Sequence, residues 1–175
     1  MHRLSVDEFK AASKLPLIVV LDNVRSLHNV GSVLRSCDAF RVEAVYLCGI
    51  TATPPSAEIH KTALGAEDSV TWKYFAQTTD AINELHAKGT KVYAVEQVAG
   101  STMLQNLDTE VGTRYAVVLG NEVKGVQQTV VDLCDGCLEI PQFGTKHSLN
   151  VSVAAGIVVW EFAKKIGKGE EVKRR

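Results

Sequence analysis

Long apolar runs are missing from this sequence. The longest, "SVAAGIVVW" after Leu149 and Val151, is interrupted by polar side chains and falls well short of the ~20 residues that cross a bilayer. A membrane-spanning helix is excluded, and membranes are not expected among the partners. Cysteine is scarce, with four in 175 residues, which fits a reducing compartment where thiols stay free. Cys134 and Cys137 form a CxxC, yet no second pair and no histidines at ligand spacing accompany them, so no metal site is read. The amino-terminal "MHRLSVDEFKAASK" carries acidic residues and lacks the apolar centre and cleavage site of a secretory signal. The expected address is cytoplasmic. An excess of one charge is missing as well: 19 Lys and Arg against 20 Asp and Glu leave a net charge of -1. The molecule as a whole therefore lacks the basic footprint of a nucleic-acid binder, although a local cluster can still hold phosphates. Arg25, His28, Arg35 and Arg41, the pair Lys146 and His147, and the lysine- and arginine-rich tail are such clusters.

Phosphate loops are absent too. No GxGxxG occurs, and "GNEVKGVQ" fails as GxxxxGK[ST], because Lys124 precedes the second glycine and Val126 follows it. Dinucleotide and nucleoside-triphosphate binding by the common loops lose their support. Internal repeats and low-complexity segments are also lacking.

What is present is an alternation. Residues 15 to 22, "LPLIVVLD", form a continuous β-branched run that reads as a buried parallel strand. A helix is predicted over 29–40, then the strand "VEAVYLC", a loop "ITATPPSAE", the strand "VTWKYF", a helix over 78–88 ending at Gly89 and the strand "KVYAVEQ". After another loop come the strand "RYAVVLG", a short helix past Gly125, the strand "CLEI" stopped by Pro141 and a last helix over 148–165. Such alternation implies one α/β domain over 1–175 with a mostly parallel sheet covered by helices on both faces. A short leader (1–14) and a basic tail (166–175) flank it. The last helix is apolar on nearly all sides between Leu149 and Trp160, more than one small domain can enclose. A homodimer interface is expected there.

In open α/β sheets ligands bind beyond the carboxyl ends of the strands. Three segments leave strands there with unusual polar groups: "DNVRSLHNVGSVLR", "GNEVKG" and "PQFGTKHSLN". In the first, Gly31 and Arg35 share a helix face, so the guanidinium would pass over the bare glycine toward the free N–H groups of the first turn. An anion such as a phosphate is favoured there. Asn29 is the expected N-cap, with His28 as a further donor; the plainer alternative is a surface arginine beside an ordinary cap. Glu122 is either a site residue or a helix-start carboxylate. Ser148 reads as the N-cap of the last helix, and Asn150 in its first turn needs partners, which points to a site.

Taken together and in order, "VVLDNVRSLHNVGSVLRSCDAF", "YAVVLGNEVKGV" and "IPQFGTKHSLNVSVAAGIVVWEF" resemble the SpoU, or TrmH-like, branch of the SPOUT methyltransferases. The resemblance covers nearly the whole chain. It implies an S-adenosylmethionine-dependent enzyme that methylates ribose 2′-hydroxyls of tRNA or rRNA, with a carboxyl-terminal deep trefoil knot and an active site shared across a homodimer. It also implies site roles for Asn29, Arg35, Glu122, Ser148 and Asn150, and cofactor contacts around Gly120, Ile140 and Leu149, with Ala94, Val95 and Glu96 beside them. A non-catalytic RNA-binding relative and a flavodoxin-like nucleotide-binding enzyme are the alternatives.

Overall fold

The computed structural model describes residues 3–167; of the expected basic tail, residues 168–175 lie outside them. Apolar runs and capped amphipathic stretches alternate along the chain. The helix α1 (Val6–Ala11) is followed by β1 (Leu15–Asp22), α2 (Leu27–Ala39), β2 (Val42–Cys48), α3 (Ala57–Ala63), α4 (Ala66–Ser69) and β3 (Trp72–Phe75). Then come α5 (Thr78–Ala87), β4 (Lys91–Val95), β5 (Thr102–Met103), β6 (Tyr115–Leu119), α6 (Gln128–Leu133), β7 (Gly136–Glu139) and α7 (Val151–Ile166). The strands form one sheet in the order β3-β2-β1-β6-β4-β7-β5, and every pairing is parallel. The α/β expectation therefore holds.

Strand β6 sits at the centre and all five of its residues are buried, as a parallel strand covered on both faces requires. Its neighbour β1 shows how the chain divides between two cores. Leu17, Val19 and Leu21 join the layer that includes α2, α3 and α7, while Ile18 and Val20 join the layer beneath α5 and α6. Period-two alternation sends successive side chains to opposite faces, and each buried aliphatic side chain contributes roughly 1.5–3 kcal/mol.

Three elements depart from the sequence reading. The segment predicted as loop around Pro54 and Pro55 is followed at once by α3, capped by Ser56, whose side chain accepts from the Ile59 amide. The leader is partly helical: α1 begins with a capping box between Ser5 and Glu8. Helix α7 begins three residues later than predicted and, as the sequence reading expects of one small domain, is not enclosed on all sides. It buries Val151, Ala154, Ala155, Val158, Val159 and Phe162, and leaves Val153 (51%), Ile157 (39%) and Trp160 (52%) exposed. No helix among the described residues is long and apolar enough to cross a membrane.

Candidate active site

Because all strands run the same way, the segments following β1, β4, β6 and β7 emerge at one sheet edge. Their polar groups meet there. Glu122, in the loop after β6, accepts from the Arg25 amide at 3.0 Å and the Ser26 amide at 3.0 Å. It also accepts from Asn29 Nδ2 at 3.2 Å. Asn29 Oδ1 in turn accepts from Asn150 Nδ2 at 3.2 Å. One hydrogen-bonded chain thus joins three segments separated by 93 and 121 positions. Burial alone would push the Glu122 carboxyl up, but the hydrogen bonds from the Arg25 and Ser26 amides, with that from Asn29, outweigh it and hold it below its ordinary value of 4.5.

The helix-start reading of Glu122 holds in altered form. It is a helix-start carboxylate, though not for its own segment: it meets free amides at the N-terminus of α2, where a negative charge is favoured. Asn29 is not the N-cap of α2. Ser26 caps the helix three residues before the predicted cap, accepting from the Asn29 amide, and this leaves the Asn29 side chain free to bridge Glu122 and Asn150. Ser148 is likewise not a cap. Asn150 caps α7, accepting from the amides of Ser152 at 2.9 Å and Val153 at 3.3 Å, while Ser148 stays in the exposed preceding loop. His28 does not point to this network; its Nε2 lies 2.9 Å from Glu58 of α3.

Below the network lies a cavity of about 520 Å³ whose lining includes Val95, Glu96, Gly120, Glu122, Leu138, Ile140, Ser148, Leu149, Asn150 and Val151. Eight of the residues expected at the site are among these. Ala94 is not; it is fully buried in the core under α5 and α6, one position out of phase with the cavity wall. The loop from Gly120 to Val126 is folded on itself. Asn121 N and Gly125 O, and Gly125 N and Asn121 O, bond at 3.0 and 2.9 Å, and a Cβ at Gly120 would stand 2.1 Å from the Gly125 carbonyl carbon. Asn121, which the sequence reading passed over, organises this turn. Its Oδ1 accepts from the Val123 and Lys124 amides, and its Nδ2 donates to Asn23 O at 2.9 Å.

Asp22 was also missed. It ends β1 fully buried and accepts from the Gln127 amide at 2.8 Å, Gln127 Nε2 at 2.8 Å and Thr78 Oγ1 at 2.6 Å. This fixes the far end of the 120–126 loop to the sheet. The signal was weak, since an aspartate at a strand end also suits a turn.

Arg35 stands apart. Six residues beyond Asn29 on α2, it lies about 9 Å further along the axis, is exposed and does not line the cavity of its own chain. Among the described residues its side chain has no hydrogen bond or ion pair. Gly31 does not clear a path for it, contrary to the expectation from helix spacing. A Cβ at Gly31 would sit 2.1 Å from Thr62 Oγ1 and 2.3 Å from Ile59 O, so the glycine exists to let α3 approach α2.

No group of three or more potential ligands clusters among the described residues. The Cys134 thiol donates to Val130 O at 3.2 Å and is pushed up to about 12 by burial, with Cys137 and Asp135 adding to it, whereas a metal needs the thiolate.

With this geometry in hand, comparison with known proteins is specific. The profile of the SpoU rRNA Methylase family matches residues 16–160. The 23S rRNA (guanosine-2'-O-)-methyltransferase RlmB of Nitrosomonas europaea is 36% identical over 156 residues, 89% of this chain and 58% of that protein. Its namesake from Vibrio cholerae is 31% identical, over 92% of this chain and 64% of that protein. The chain thus spans less than two thirds of these relatives. Among solved structures, the TrmH/SpoU tRNA modifying enzyme of A. aeolicus superposes with a TM-score of 0.82 at 25% identity, over 94% of this chain and 83% of that one. An AdoMet-bound rRNA methyltransferase from Sinorhizobium meliloti gives 0.79 at 29% identity, over 87% and 60%.

Proposed function

Since the chain belongs to the SpoU rRNA methylase family, we propose that it transfers a methyl group from S-adenosylmethionine to a ribose 2′-hydroxyl of tRNA or rRNA. The observation that carries this reading is the Asn29–Glu122–Asn150 network set directly over the cavity. The cavity lies within the 300–1,000 Å³ typical of cofactor sites. Leu138, Ile140 and Val151 offer an apolar slot in it, and the turned loop at Gly120 presents backbone groups. These residues fit an adenosine with a charged tail. When bound, S-adenosylmethionine supplies an electrophilic methyl group on a sulfonium centre.

The remaining work falls to side chains of this chain. The ribose oxygen must stand in line with the methyl carbon, near 3–3.5 Å, and lose its proton as it attacks. Asn29 and Glu122 fix the backbone entering α2, which gives the network its rigidity, while Ser148 and Asn150 sit where ribose and cofactor would adjoin. Arg35 is a permanent cation, so its role is to hold the neighbouring phosphate and stabilise the developing oxyanion. The proton leaves through phosphate, water or a neighbour.

Arg35 is exposed and does not line the cavity of its own chain, which supports a site completed by a second copy. The exposed Val153, Ile157 and Trp160 form an apolar stripe on α7, and Trp160 contacts Phe40, which caps the end of α2, with ring centroids 5.6 Å apart. Covering this stripe in a homodimer would bring Arg35 of one copy toward the cavity of the other. The expected setting is cytoplasmic, with RNA as partner. We further propose a single methyltransferase domain over 1–175 whose carboxyl-terminal part is tied in the trefoil knot of the SPOUT fold. In support, α7 returns from β7, near one sheet edge, to pack against β1 and β6 at its centre.

Replacing Arg35 tests the assignment. Arg35→Ala should abolish tritium transfer from labelled S-adenosylmethionine into RNA while cofactor affinity stays within about twofold, because Arg35 lies off the cavity of its own chain. Loss of cofactor binding with RNA binding spared would refute the role.

A further inference from the structure

We propose that Glu96 and Glu139 make the cavity select the positively charged methyl donor over its neutral thioether product. This rests on the methyl-transfer reading above. Glu96 follows β4 and Glu139 ends β7. The register pairs Val95 with Leu138, and the Glu96 amide donates to Leu138 O at 3.0 Å, so the two carboxylates extend from adjacent strand ends, ~4.8 Å apart in the backbone. Both line the cavity.

Each is anchored by one oxygen. Glu96 Oε1 accepts from the Val126 amide at 2.7 Å, and Glu139 Oε2 accepts from Ser101 Oγ at 2.6 Å. The second oxygen of each has no donor among the described residues. The placement of Glu96 constrains its surroundings. Gly125 has a φ of +69°, and a Cβ there would stand 2.2 Å from Glu96 Oε1, so a side chain at this position would displace the carboxylate. Glu122 differs, since the Arg25 and Ser26 amides and Asn29 engage both its oxygens. The one lysine in the lining is Lys124, whose side chain is exposed.

Two adjacent negative charges, each with an unpaired oxygen, favour a ligand with a positive centre. Donor and product share the adenosine and the amino-acid tail and differ only in the methyl group and its charge. Transfer moves the methyl from sulfur to the ribose oxygen, turns the sulfonium into a thioether and releases the positive charge as the hydroxyl proton. The carboxylates thus hold the donor and lose their hold once it has reacted. At an effective dielectric constant of about 20, discounted for the open side of the cavity, each carboxylate accounts for roughly five- to tenfold in the donor-to-product affinity ratio.

The test is calorimetric titration of the full chain with S-adenosylmethionine and with S-adenosylhomocysteine, in wild type, Glu96→Gln and Glu139→Gln. Glutamine keeps an oxygen for the Val126 amide or the Ser101 hydroxyl, so the variants remove charge and little else. Wild type should bind the donor at least about tenfold more tightly than the product, and each variant should shrink that ratio roughly five- to tenfold. In turnover, each should raise KM for the donor without lowering kcat, because the lost attraction acts on the ground state. A wild-type ratio of one or less, or a ratio unchanged in the variants, overturns the proposal. If one variant melts early, the other carries the comparison. Failure of wild type to bind either compound would instead defeat the methyltransferase reading.

Discussion

Asp22→Asn is the substitution whose effect the structure specifies most fully, because Asp22 touches neither the cavity nor solvent yet holds the loop that forms one cavity wall. Its Oδ1 accepts from Thr78 Oγ1 at 2.6 Å and Gln127 Nε2 at 2.8 Å, and its Oδ2 accepts from the Gln127 amide at 2.8 Å. An asparagine presents one oxygen and one NH2. If the NH2 takes the Oδ2 position, the Gln127 amide faces another donor and is left unsatisfied. If it takes the Oδ1 position, the Thr78 hydroxyl and the Gln127 side chain must both reverse. Either way, charge-assisted hydrogen bonds worth about 1.5–3 kcal/mol become neutral ones worth about 0.5–1.5 kcal/mol, and a buried donor loses its partner. A net destabilisation of about 2–3 kcal/mol follows. For a chain of this size that lowers Tm by roughly 4–12 °C. Since Gln127 directly follows the 120–126 loop, S-adenosylmethionine affinity should also fall, by about three- to tenfold. Urea unfolding and calorimetric titration read the two effects. A variant with wild-type stability and affinity would refute the claim that Asp22 holds the loop in place.

Two further tests address the site and the assembly. The Glu122 carboxyl is held below its ordinary value of 4.5, so its contribution to stability is fully present above that value and is lost as pH falls through its lower value in the folded protein. The stability difference between wild type and Glu122→Gln should be flat from pH 8 to about 5.5 and vanish in more acid solution; a difference that persists unchanged at pH 2 would contradict this. Ile157→Glu places a charge in the exposed stripe of α7 and should convert a dimer to monomer in sedimentation velocity, with loss of methyl transfer and little change in Tm. A wild-type chain that sediments as monomer at micromolar concentration would remove the basis for a shared site.

The sheet was legible because β1 and β6 are unbroken runs of β-branched and apolar residues, a pattern that few other structures accommodate. The meeting of Asn29, Glu122 and Asn150 was also readable in outline, since three polar segments each followed a strand. Caps were harder. "SLHN" and "HSLN" each offer two capping residues, and the fold uses Ser26 in the first and Asn150 in the second, a choice that spacing does not record. Gly31 misled for a related reason: the same bare Cα suits a passing arginine or an adjoining helix, and only the position of Ile59 and Thr62 decides. Helix α3 was hidden by the prolines before it, and the two-residue β5 is too short to leave a periodic trace.

Helix α7 answers to several neighbours at once. Val151 and Ala154 form part of the cavity wall, Val158 and Phe162 fill the core, and Val153, Ile157 and Trp160 face outward. Nearly every turn is therefore under a separate demand, and neutral drift has little room. A saturating substitution library should find this segment the most intolerant helix of the chain, with freedom returning near Lys164.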